Sequence, residues 1–95
     1  MTSNHSNTEI NQLLARVRAY DEGAQRTLYD MLVLNMYNTA YRILGNKEDT
    51  QDCLQNGFTL IFTKIHKYDP DKGTIWSWAK RIVINECLGM LRKKK

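Results

Sequence analysis

Ninety-five residues, 42% hydrophobic and 25% charged with one proline and five glycines, make one small globular domain and exclude a loop-rich or disordered chain. The net charge of +4 is uneven: residues 64–95 hold nine lysines and arginines against three acids, a net +6, which leaves residues 1–63 at −2. Two cysteines far apart in sequence form no disulfide framework, the polar start lacks the apolar centre of a signal peptide, and no apolar run nears the ~18 residues of a membrane span, so a cytoplasmic chain is expected.

Residues 1–7, rich in Ser, Asn, Thr and His, are expected to form a flexible N-terminus, and residues 8–95 a single domain. Ile10, Leu13, Leu14 and Val17 fall on one stripe and predict a first helix over Thr8–Tyr20, with Asn7 or Thr8 as its cap. Asp21-Glu22-Gly23 breaks that pattern. A second helix is predicted over Ala24–Leu44. Leu28, Leu32, Met36, Ala40 and Leu44 form one row, and Tyr29, Val33, Tyr37 and Tyr41 the next, so its apolar face is wide and its place central. Gly45 suits the left-handed position after a helix, and Asn46 the cap of the next, with Glu48 and Asp49 in the first turn. The third helix, Lys47–His66, carries Leu54, Phe58, Ile61, Phe62 and Ile65 on one side, and Asp49, Asp52, Gln55, Asn56 and Thr59 largely opposite. Asp69-Pro70-Asp71-Lys72-Gly73 has the composition of a turn. Thr74 then caps a fourth helix reaching Arg92, whose core face is Ile75, Trp78, Ala79, Ile82 and Val83, with Lys80, Arg81 and Asn85 off that face. The fold class is therefore all-α, a compact three- to four-helix bundle.

No set of residues promises catalysis. His5 and His66 are far apart, no glycine-rich phosphate loop or paired-cysteine metal motif occurs, and the acids of the third helix have no second cluster to complete a metal site. No catalytic residue, metal ligand or cofactor is expected. The back third differs, because from Lys64 to Arg92 cations mix with Tyr68, Trp76 and Trp78. Cations track phosphates and aromatic faces stack on unpaired bases. Trp78 lies on the core stripe, Tyr68 could be core or contact, and Trp76, about 100° round the helix from both neighbours, is expected to be exposed.

Three stretches in order carry a resemblance. The first is the helix end Tyr41-Arg42-Ile43-Leu44-Gly45-Asn46-Lys47-Glu48-Asp49. The second is Asp49-Thr50-Gln51-Asp52-Cys53-Leu54-Gln55-Asn56-Gly57-Phe58, similar to DAEDLVQETF, and the third is Gly73–Asn85, similar to GSFRAWLYRIAxN, followed by Leu91-Arg92-Lys93. Residues 28–95 thus resemble region two of extracytoplasmic-function (ECF) bacterial sigma factors. The resemblance implies that Asp49, Asp52, Gln55 and Asn56 face the clamp helices of the RNA polymerase core. It implies that the loop from Lys67 to Thr74, with Tyr68 and Lys72, and the outer face of the fourth helix, with Trp76, Ser77, Arg81 and Asn85, hold the non-template strand of the promoter −10 element. Lys80, Arg92 and the terminal lysines are then expected to contact phosphates. An anti-sigma factor is a further partner class that it admits. Asn56, Gly57, Trp76, Lys80 and Gly89 depart from the family's usual residues. A full sigma factor of this type continues into a domain that reads the −35 element, which this chain lacks, so a fragment of a longer protein is expected.

Two other readings remain open at this point. One is a helical protein-interaction module whose basic end only solubilises it. The other is a regulator that reads duplex DNA through a helix-turn-helix. Preference for single strand, duplex or neither separates the three.

Overall fold

The computed structural model describes residues 7–93, and among them no strand occurs. The chain runs α1 (Asn7–Arg18), α2 (Glu22–Leu44), α3 (Lys47–Thr63), two 3-10 turns (Ile65–Lys67 and Pro70–Lys72) and α4 (Ile75–Lys93). The expectations for residues 1–6, Lys94 and Lys95 lie outside the described residues. Since α1 already includes Asn7 and Thr8, neither is its cap.

The core is a set of rows with a four-residue step. On α2, Ala24, Leu28, Leu32, Met36 and Ala40 are all fully buried. Four residues turn a helix about 40° past a full circle, so this row sweeps about 160° round α2 along its length. That sweep lets α2 pack in turn against α1, α3 and α4, and makes it the central helix. On α4 the same step gives Ile75, Ala79, Val83 and Cys87, and α3 contributes Thr50, Cys53, Leu54, Gly57, Phe58 and Ile61. The expected bundle is the observed one, with four long helices.

Its corners are built from local chemistry. Asp21 caps α2 by accepting from the Ala24 N–H at 3.1 Å, and its carboxylate also takes the Arg16 Nε–H at 3.0 Å. These bonds, the Ala24 amide first, hold the Asp21 carboxyl below the usual carboxylate range. Gly45 ends α2 at φ 78°. Asn46 accepts from the Asp49 N–H, and its amide donates back to the Asp49 carboxylate, both at 2.9 Å. The buried Thr50 hydroxyl satisfies itself on the Asn46 carbonyl.

Two helix ends fall short of the expected Tyr20 and His66. Tyr20 has φ 64°, its N–H donates to the Val17 carbonyl, and the Asp21 N–H donates to the Arg16 carbonyl. This is a Schellman closure with tyrosine where glycine is usual. α3 stops at Thr63 because Ile65 turns into the core and the chain tightens into a 3-10 turn.

The helices α3 and α4 cross closely at Gly57, where an added Cβ would sit 3.2 Å from Val83 Cγ2. Propensity alone favours Gly57→Ala by about 1 kcal/mol. Val83 is fully buried and has little room to yield. Gly57→Ala is therefore expected to lower stability by about 1 kcal/mol in urea unfolding, and Val83→Ala in the same chain to cost less than it does alone.

Beside this crossing lie the two cysteines. Both are fully buried, and their Sγ atoms approach to 2.8 Å as free thiols. Far apart in sequence, they are brought together across α3 and α4 by the fold.

Candidate nucleic-acid interface

The segment joining α3 to α4 is short, basic and held from below. Ile65 and Tyr68 are buried, whereas His66, Lys67 and residues 69–74 are exposed. The Tyr68 hydroxyl donates to the Gly73 carbonyl at 2.7 Å, and its ring meets Trp78 at a centroid distance of 5.5 Å. Burial pushes the Tyr68 phenol upward. Between these anchors, the Asp69 carboxylate accepts the Asp71 N–H at 2.9 Å and Pro70 opens the second 3-10 turn. Gly73, at φ 144° and ψ 174°, takes a backbone conformation nearly closed to other residues. Thr74 Oγ1 then accepts the Ser77 N–H at 3.1 Å and caps α4 as the sequence indicated.

This turn and the start of α4 enclose a cavity of about 290 Å³. Its polar lining is Lys67, Asp69, Lys72, Ser77 and Arg81, and Tyr68, Gly73 and Trp78 complete the wall. Three cations and one hydroxyl against one carboxylate make a donor-rich concavity suited to an electron-rich, planar or anionic group. Along α4, Ser77, Arg81, Asn85, Leu88 and Arg92 continue from it as one exposed row. Lys80 is exposed beside that row.

Two aromatic expectations are corrected. Tyr68, expected among the strand-contacting rings, is only 6% exposed, and its packing on Trp78 makes it an anchor of the turn rather than a free stacking face. Trp76, expected to be exposed, is half-buried against the core. It precedes Val83 by seven residues, nearly two whole turns, so it shares the side of α4 toward which the buried row winds. Trp76 and Thr74 border a different depression, with Ile10 and Pro70, on the other side of the turn.

The polar face of α3 is formed as expected at Asp52, Gln55 and Asn56, all exposed. Asp49 is different, since it is half-buried and its carboxylate is bound by Asn46 in the helix cap. Next to Gln55 the structure shows a feature the periodicity hid. Tyr29, Val33, Tyr37, Leu54, Phe58 and Phe62 line an apolar groove of about 530 Å³ between α2 and α3. Spacing counts the tyrosine row as part of a wide apolar face, yet Tyr29 and Tyr41 remain more than 40% exposed, with the Tyr29 ring packed on Phe58 at 4.6 Å. Three tyrosines in a single row were the available signal, because a phenol sits well with one end apolar and the other wet. Among the described residues, no His, Cys, Asp or Glu group of three or more could hold a metal ion, and no helix is long and apolar enough to cross a membrane.

The profile of sigma-70 region 2 matches residues 28–95 of the chain. The chain belongs to the sigma-70 region 2 family. It is similar to ECF RNA polymerase sigma factor SigE of Mycolicibacterium smegmatis, 37% identical over 59 residues, and to ECF RNA polymerase sigma factor SigW of Bacillus subtilis, 28% identical over 86 residues. These stretches cover 62% and 90% of this chain but 22% and 46% of the two relatives, so it spans less than half of either. The matched region 2 residues include the donor-rich cavity, the exposed row of α4, the polar face of α3 and the apolar groove. They do not include α1.

Proposed function

We propose that this region 2 acts within a sigma factor of the ECF type, docking on the RNA polymerase core and capturing the unpaired non-template strand of a promoter −10 element. The cavity under Lys67, Lys72 and Arg81 carries the reading. Its 290 Å³ leaves room for one base extruded from a stack. Extrusion costs a few kcal/mol, and a donor-rich site that exists only for an unpaired base offsets that cost after melting. The exposed row from Arg81 to Arg92 supplies a track for the backbone that follows. The domain makes and breaks no bonds, works in the cytoplasm, and acts by lowering the free energy of the melted state. The α2/α3 groove and the polar face at Asp52 and Gln55 support the protein-docking half of the role, giving an apolar centre with a polar border.

The test starts with the chain bound to polymerase core, used to select from a randomised single-stranded DNA pool. The enriched strand, its complement and their duplex are then titrated by fluorescence anisotropy. The expected result is tightest binding to the enriched single strand, weakening as salt rises. Duplex preference would indicate a duplex reader, and equal weak binding to all three a protein-interaction module. Either result ends the proposal. Docking is read separately by pull-down with the polymerase clamp fragment, where Asp52→Ala and Gln55→Ala are expected to reduce recovery.

A further inference from the structure

One cation in the chain is spent on main chain rather than solvent. Arg18 ends α1 and is half-buried. Its Nε and Nη2 both donate to the Ile65 carbonyl at 3.3 Å, and Nη2 also donates to the Tyr68 carbonyl at 3.0 Å. These two carbonyls bracket the first 3-10 turn. Within the turn itself, the N–H groups of Lys67 and Tyr68 bond back to Lys64 and Ile65, at 2.8 and 3.2 Å. Such a short turn holds few bonds of its own, and its geometry is weaker than an α-helix's. The guanidinium therefore adds a rigid fork across both ends of a segment that would otherwise be loosely held.

What the fork holds is one edge of the cavity. Lys67, between the two bound carbonyls, lines it, and so does the ring of Tyr68. From these contacts we infer that Arg18 is a positioning residue for base capture: α1, outside the matched family segment, fixes the Ile65–Tyr68 turn and through it the placement of Lys67 and Tyr68. The inference rests on the proposed function for its consequence, but its structural half stands alone. A lysine at position 18 would keep the charge and lose the fork, because an ammonium is a point donor on a flexible stem.

Two measurements on Arg18→Ala and Arg18→Lys test it. The first needs no DNA: amide hydrogen exchange across residues 64–74 is expected to quicken at least tenfold in both variants, with the amides of α2 and of the α3/α4 crossing unchanged. Unchanged exchange in the turn, or equal acceleration everywhere, overturns the inference. The second compares single strands differing only at the captured base, bound by the chain with polymerase core. In both variants the affinity ratio between best and worst base is expected to fall at least fivefold, with the salt dependence unaltered because phosphate contacts remain. Full discrimination in Arg18→Lys would show that charge and not the fork matters, and would overturn the inference. Absence of any base discrimination in the parent chain would count against the proposed function, with the exchange result still deciding whether Arg18 holds the turn.

Discussion

Raising the pH from 8 to 11 under reducing conditions is expected to remove a large part of this chain's folding stability. Cys53 and Cys87 are fully buried, and loss of hydration pushes both thiols up, Cys53 far beyond its ordinary value of 9.0. The neighbouring thiol adds to the effect on Cys53, since losing the Cys53 proton breaks the hydrogen bond between the two sulfurs at 2.8 Å. The folded state therefore keeps protons that the unfolded chain releases. Below pH 9 both states hold them and stability is complete, whereas above it stability falls by about 1.4 kcal/mol per pH unit for each thiol so held. Cys53 alone removes about 3 kcal/mol over two units, against a total of roughly 5–15 kcal/mol for a domain. Cys87 and, at higher pH, Tyr68 act in the same direction. Urea unfolding at pH 8, 9, 10 and 11 measures the slope. In Cys53→Ala/Cys87→Ala the starting stability is lower but the decline from pH 9 should flatten. A parent chain equally stable at pH 8 and pH 10.5 would contradict the burial of the pair.

Arg81→Ala is expected to weaken binding of the selected single strand by roughly tenfold to a hundredfold, the usual 1.5–3 kcal/mol of a hydrogen bond to a charged group. Arg81 is exposed on the cavity lining beside Ser77, within reach of an inserted base. Its loss should leave the salt slope nearly unchanged and shrink the preference at the captured position. Arg92 lies on the same row of α4, three turns farther on and outside the cavity. Arg92→Ala is expected to weaken all single strands alike and to reduce the salt slope by about 0.7. Anisotropy titrations at four salt concentrations separate the two behaviours. If Arg81→Ala, alone or with Asn85→Ala, binds like the parent, the cavity is not the base site.

The architecture was legible because its physics is local. Four-residue apolar rows, the Gly45–Asn46 junction and the Thr74 cap each follow from spacing or from the chemistry of one side chain. Errors arose where a distant contact decides the outcome. Nothing near Tyr20 announces a left-handed tyrosine, and α3 ends early because Ile65 is drawn into a core made by other helices. Periodicity marks Trp76 as off the stripe of its first neighbours, but the buried row of α4 winds toward it. Apolar spacing also counts a tyrosine as a core residue, which concealed the α2/α3 groove. The candidate site was legible as a basic, aromatic segment; which members share one cavity was not, since Lys67 and Arg81 meet only through the turn between them. Arg18, bonded to carbonyls 47 and 50 residues away, left no trace in any local pattern.

The division of labour in the α3/α4 turn has an evolutionary corollary. Side chains that secure the turn, Ile65 and Tyr68, point inward, whereas Lys67, Asp69 and Lys72 are exposed at the cavity. Substitutions at Lys67 and Lys72 alter the donors there without disturbing the hydrophobic interior or the Asp69 cap of the second 3-10 turn. Under the proposed base capture, a lineage carrying this scaffold can thus drift to new nucleotide preferences while its thermodynamic margin stays nearly constant.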